Sequence, residues 1–192
     1  MIIGVPKEIK LQEHRIGLTP ESVKALTDRN HEVLVESNGG FEAGFTNDDY
    51  LKAGANIIKT PEEIFKKAEL IVKVKEPQMK EVEMIREGQI IYTYLHIAAA
   101  KELTLGLMKT KSICIAYETV TDDSGRLPLL APMSAVAGRM SVQAGAHALE
   151  KNQKGRGLLI GGAPGVDPAN VVILGGGVVG ENAAIIATGM RG

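Results

Sequence analysis

The sequence is poor in the features that mark specialised classes of protein. It has one cysteine in 192 residues, no tryptophan, and 4% aromatic residues. A single cysteine excludes a disulfide framework within the chain. Cys114 sits inside the apolar run Ile113-Cys114-Ile115-Ala116 and is expected to be a buried, inert thiol. Neither sign of charge dominates: 22 Lys and Arg face 23 Asp and Glu, a net charge of −1. That excludes the basic surface that nucleic acid or an anionic membrane selects. No apolar run approaches the roughly 20 residues needed to span a bilayer. The opening stretch Met1-Ile2-Ile3-Gly4-Val5-Pro6-Lys7-Glu8 is too short, and too soon charged, for a signal peptide. A cytoplasmic protein that contacts neither membrane nor nucleic acid is the expectation, and no metal site is expected.

What is present is an ordinary globular composition, 44% hydrophobic and 23% charged, with 22 glycines that crowd towards the C-terminal end. Apolar runs at 2–5, 31–36, 55–58, 70–75, 89–95 and 112–117 read as strands. Helical segments alternate with them at 20–30, at 48–53, from 61 onward, at 79–86 and at 99–109. Thr19-Pro20 supplies an N-cap and a first-turn proline, and Thr60-x-x-Glu63 has capping-box spacing. Strands and helices alternating in this way imply an α/β fold with a largely parallel sheet. The alternation breaks at Thr121-Asp122-Asp123-Ser124-Gly125-Arg126-Leu127-Pro128, which places a domain boundary near 128. A long helix over 131–150 follows. Its polar residues Arg139, Gln143 and His147 form one thin stripe, so the helix is expected to be largely buried.

After a Gly/Pro-rich loop comes Val171-Val172-Ile173-Leu174, then Gly175-x-Gly177-x-x-Gly180, then a helix-like run. This order, strand then glycines then helix, is the context in which GxGxxG binds a dinucleotide. The first glycine turns the chain, the second admits the pyrophosphate, and the third lets helix and strand pack. The acidic ribose-binding residue expected about 20 residues further on falls beyond Gly192. The chain therefore reads as a Rossmann-like domain over 1–128, followed at 129–192 by the start of a truncated NAD-binding Rossmann domain.

Ligands of open α/β sheets sit beyond the carboxyl ends of the strands. Three cationic or proton-bearing residues fall there: Arg15 in the loop after the first strand, Lys75 at the end of the fourth, and His96 after the fifth. Each alone has an ordinary structural reading, as a salt-bridge partner, a solvated cap or a satisfied structural histidine. Together they make a cationic site able to bind a carboxylate, polarise a carbonyl and move a proton. Lys73 and Lys75 are expected on one strand face, and Tyr92, Tyr94 and His96 on another. Glu118, His14 and His147 are weaker candidates.

Several ordered stretches carry a resemblance that covers the whole chain. They are Ile3-Gly4-Val5-Pro6-Lys7-Glu8, Arg15-Ile16-Gly17-Leu18-Thr19-Pro20, Lys73-Val74-Lys75-Glu76-Pro77 and Thr93-Tyr94-Leu95-His96. Further on come Ala116-Tyr117-Glu118-Thr119-Val120, Leu127-Pro128-Leu129-Leu130-Ala131-Pro132-Met133-Ser134 and Gly161-Gly162-Ala163-Pro164-Gly165-Val166. On these residues the chain resembles the N-terminal half of bacterial alanine dehydrogenase. The resemblance implies reversible, NAD-dependent oxidative deamination of L-alanine to pyruvate and ammonia. It implies that Arg15 and Lys75 bind substrate and that His96 and Lys75 are catalytic. It also implies that Met133, Ser134, Gly175, Gly177 and Gly180 hold NAD, and that the protein is a homo-oligomer, hexameric in the full-length family. Ala135 departs from the acidic residue usual after Met-Ser, and the pattern is lost at Arg191. The family's later active-site aspartate lies beyond the chain, so the 192-residue form is expected to be inactive alone. Two alternatives are the nucleotide-binding subunit of a proton-translocating transhydrogenase and a non-catalytic fragment that joins longer subunits.

Overall fold

The computed structural model describes residues 1–192. The chain forms two compact units, Met1–Thr119 and Val120–Gly192, so the division falls nine residues before the expected boundary.

The first unit is a six-stranded, wholly parallel sheet. Its strands are β1 (Ile2–Val5), β2 (Glu32–Glu36), β3 (Asn56–Ile58), β4 (Leu70–Val72), β5 (Ile90–Thr93) and β6 (Ile113–Ala116), in the spatial order β3-β2-β1-β4-β5-β6. The connections carry the helices α1 (Pro20–Thr27), α2 (Asn47–Lys52), α3 (Pro61–Lys67), α4 (Met79–Val82) and α5 (Lys101–Thr110). Period-2 alternation sends Leu34 to one face of the sheet and Val33 and Val35 to the other. Leu34 joins Ile64, Phe65, Ile71, Ile91 and Leu103 in one core. Val33 and Val35 join Ile3, Val5, Val23, Tyr50 and Val72 in a second. The order reverses direction between β1 and β4, the switch point at which sheets of this kind open a crevice.

Several local expectations change. Thr19 does cap α1, accepting the Ser22 N–H at 3.3 Å. Thr60 precedes α3 but its side chain makes no cap bond; the reciprocal boxes are instead Thr46 with Asp49 and Gln78 with Glu81. Cys114 is exposed, not buried. Strand β6 lies at the edge of the sheet and pairs only with β5, so its apolar run is left uncovered, with Ile113 53% exposed.

The second unit is built on α6 (Ala131–Ala148) and α7 (Val178–Gly189). Gly138 makes their close approach feasible, because a Cβ there would run into the carbonyl oxygen of Val179. Val142, Ile160, Ala183 and Ala187 form a small core, and Arg139 Nε donates to Asn182 Oδ1 at 3.0 Å. Helix α6 is not largely buried: only Gly138 and Val142 are, while Met133, Val136 and Met140 are exposed. Its contact with α7 is a narrow seam, which covers one side of it. The expected strand over 171–174 is not formed. A strand exists only with a paired neighbour, and this unit supplies none; Val172 and Leu174 are exposed.

Candidate functional site

The strand order brings the carboxyl ends of β1, β4 and β5 side by side. Arg15 lies in the loop after β1, Lys75 three residues past the end of β4, and His96 three residues past the end of β5. Gly17 brings the first loop down onto β4, since a Cβ there would stand 2.5 Å from the Val72 carbonyl oxygen. The three residues therefore gather on one edge although 81 residues separate Arg15 from His96.

Arg15 is held by Glu13. The guanidinium donates through Nε at 2.8 Å and Nη2 at 2.6 Å, and the Arg15 N–H adds a third bond at 3.0 Å. The bidentate guanidinium holds the Glu13 carboxyl down to about 2, against the opposing effect of burial. The same carboxylate raises Arg15, so the cation is permanent. Lys75 is half-buried and its ammonium forms no ion pair. Its main-chain groups are tied down, with the N–H to Glu8 Oε1 at 3.3 Å and the carbonyl accepting Thr93 Oγ1 at 2.8 Å.

Lys73 behaves differently from its neighbour. Strand β4 stops at Val72, and Lys73 is 1% exposed, pairing with Glu8 at 3.0 Å and with Glu81 at 2.8 Å. A lysine two residues from another reads as the same strand face; the structure makes one of them a buried ion triad and leaves the other available. Burial pushes the Glu81 carboxyl up, with Lys73 opposing.

His96 is exposed and takes a left-handed backbone, φ 48° and ψ 30°. Its ring stacks on Tyr94 with centroids 6.1 Å apart, and Tyr94 and Tyr92 both pack edge-on against Tyr117. Burial raises the Tyr94 hydroxyl, and nearby Arg15 opposes that shift. The two weaker histidines are committed elsewhere: His14 pairs with Glu42, and His147 with Glu150 at 3.3 Å. Neither Glu8 nor Glu13 stood among the candidate residues of the sequence. The only signal for either was an acidic residue in the loop beyond the first strand.

In the second unit, Ser134, Gly175, Gly177 and Gly180 line one groove of ≈ 770 Å³. Met133 does not line it. The glycines have distinct local requirements. Gly175 has φ 104°, Gly177 is the N-cap of α7, and a Cβ on Gly180 would collide with the carbonyl oxygen of Gly175. A Cβ on Gly176 or Gly177 would meet nothing within 4 Å. That leaves an open cradle at a helix N-terminus, a form suited to a pyrophosphate.

The family model for the alanine dehydrogenase/PNT N-terminal domain matches residues 4–137, and that for the C-terminal domain matches 141–192. The chain belongs to the alanine dehydrogenase/PNT family. Within this family it is 54% identical over 190 residues to the alanine dehydrogenase of Halomonas elongata and 53% identical to that of Methanococcus maripaludis. Each alignment covers 99% of this chain and 51% of the relative. The chain thus spans about half the length of the curated relatives it matches. A solved L-alanine dehydrogenase superposes with a TM-score of 0.90 at 52% identity, over 99% of this chain and 52% of that one. A transhydrogenase from Sinorhizobium meliloti shares the fold, with a TM-score of 0.80 at 23% identity. No helix is long and apolar enough to cross a membrane.

Proposed function

We propose that this chain carries the substrate-binding and initial cofactor-binding parts of an NAD-dependent L-alanine dehydrogenase. Such an enzyme converts L-alanine, NAD⁺ and water to pyruvate, ammonium, NADH and a proton. The observation that carries the reading is the convergence of Arg15, Lys75 and His96 on three adjacent strand ends, in a family whose curated relatives are alanine dehydrogenases.

Arg15 and Lys75 bind the carboxylate of alanine or pyruvate, Arg15 as a fixed cation pre-set by Glu13. Lys75, without a carboxylate partner of its own, is the ammonium left to reach the C2 carbonyl oxygen and polarise it. His96 takes a proton at an imidazole nitrogen from the water that adds to the imine carbon, and returns it as the amine leaves. NAD, when bound, supplies the acceptor for the C2 hydride. Gly175, Gly177, Gly180 and Ser134 would hold its pyrophosphate side, and the open cradle at Gly176 and Gly177 fits that group. Met133, from the first turn of α6, would lie near it. The expected assembly is a homo-oligomer acting on a small-molecule substrate.

The test is pyruvate binding and L-alanine-dependent NADH formation by the purified chain, each against Lys75→Ala. Pyruvate binding that vanishes in Lys75→Ala supports the reading. Equal binding by both proteins, or neither pyruvate binding nor NADH formation by the unaltered chain, refutes it.

A further inference from the structure

The edge that presents Lys75 and His96 has a second layer that the proposed reaction does not use. Strands β4 and β5 are neighbours and carry the two residues just past their ends. Their outer neighbours, β1 and β6, each send a glutamate inward from the segment beyond the strand. Glu8, after β1, accepts the main-chain N–H groups of Val74 at 2.6 Å and Lys75 at 3.3 Å. Glu118, after β6, accepts those of Leu95 at 3.0 Å and His96 at 2.7 Å. The two arrangements mirror each other. In each, one carboxylate takes two consecutive N–H groups at the point where the sheet ladder runs out, the second belonging to the candidate site residue.

Water or a carbonyl would satisfy those N–H groups equally well on the count of bonds. A carboxylate adds charge-assisted strength and fixes two peptide planes at once. His96 needs this more than Lys75 does, because its left-handed backbone is one that a residue with a Cβ adopts only where its surroundings impose it. Glu118 is therefore more than a satisfied surface acid. Burial pushes its carboxyl up, but the N–H groups of His96, Glu118 itself and Leu95, with the His96 ring nearby, outweigh burial and hold it below the usual range.

We propose that Glu118 is a positioning residue for His96: its carboxylate locks the left-handed turn that presents the imidazole at the carboxyl edge of the sheet. The inference rests on the reading of His96 as a site residue, but the lock itself can be tested without that reading.

The experiment is NMR of the full 192-residue chain, with Glu118→Gln and the exposed control Glu102→Gln. On lowering the pH, the amide protons of Leu95 and His96 are expected to move together through one step, at a pH below the usual carboxylate range. The titratable groups facing Glu118 are the ring of His96 and the Tyr94 hydroxyl, and Glu118→Gln keeps both. Glu118→Gln should abolish the step and shift the His96 H–N–Cα–H coupling and Cα signal away from left-handed values. Glu102→Gln should do neither. A wild-type chain without the step, or a Glu118→Gln variant whose His96 keeps its left-handed signature, overturns the proposal. Should Glu118→Gln fail to fold, the wild-type step decides alone. Pyruvate separates the two ideas. If the lock behaves as expected while pyruvate moves no signal of the wild-type chain, the positioning role stands and the proposed function fails.

Discussion

Replacing Lys73 by methionine removes one charge from the centre of the first unit while keeping side-chain volume, so the effect is electrostatic and leaves no cavity. Lys73 is 1% exposed, and Glu8 and Glu81, which it joins, have side chains only 2% exposed. Taking away the one cation leaves two buried carboxylates facing each other with no counter-charge. Breaking a buried pair in this way costs roughly 3–5 kcal/mol, a large part of the roughly 5–15 kcal/mol that holds a domain together. With a urea m-value of about 2 kcal/mol/M, the midpoint for the first unit should fall by about 2 M. The assay is urea unfolding followed by circular dichroism at pH 7 and pH 5, since the chain has no tryptophan. Acid should relieve the loss. The folded-state value of Glu81 already lies above its unfolded one because of burial, and Lys73 opposes the shift. A raised carboxyl stabilises fully below its unfolded value and loses that contribution as pH rises through the folded one. Without Lys73 the folded value climbs further, so the penalty is largest at pH 7. A loss below about 1 kcal/mol at pH 7, or the same loss at both pH values, would refute the reasoning.

Two further outcomes follow from the geometry. Gly177→Val should leave the fold intact, because the added Cβ enters open space. It should weaken NADH binding by about tenfold or more, about 1.4 kcal/mol, read by NADH fluorescence; an affinity within about twofold of the parent would remove the cradle from the cofactor site. Arg15→Ala should return the Glu13 carboxyl from about 2 to the ordinary carboxylate range, followed by carbon NMR. A depressed carboxyl stabilises above its unfolded value and loses that contribution as pH falls through the folded one. The variant should therefore unfold at a higher pH during acid titration, and an unchanged Glu13 titration would contradict the pair.

The alternation of strands and helices was legible because the strands are short apolar runs closed by polar residues, and two of the helices, α1 and α3, open on Thr-Pro. The candidate residues Arg15, Lys75 and His96 were legible for a related reason: the carboxyl edge of a parallel sheet can be located once the strands are. Features that depend on what covers a segment were not legible. Cys114 looked buried because its neighbours are apolar, but β6 is an edge. Helix α6 looked enclosed because its polar stripe is thin, yet α7 covers only the side around Gly138 and Val142. The run over 171–174 has strand composition and no strand to pair with. Lys73, Glu8 and Glu81 could not be joined from sequence either. Their partners lie up to 65 residues away, and nothing local in a lysine announces that it will be desolvated.

The exposed border along β6 has a consequence for assembly. Its outer row of main-chain groups is open, and Ile113 and Ile115 stand at it unshielded, which is the form of a template for an incoming strand. Any strand that docks there lengthens the sheet on the side from which Glu118 reaches back to His96.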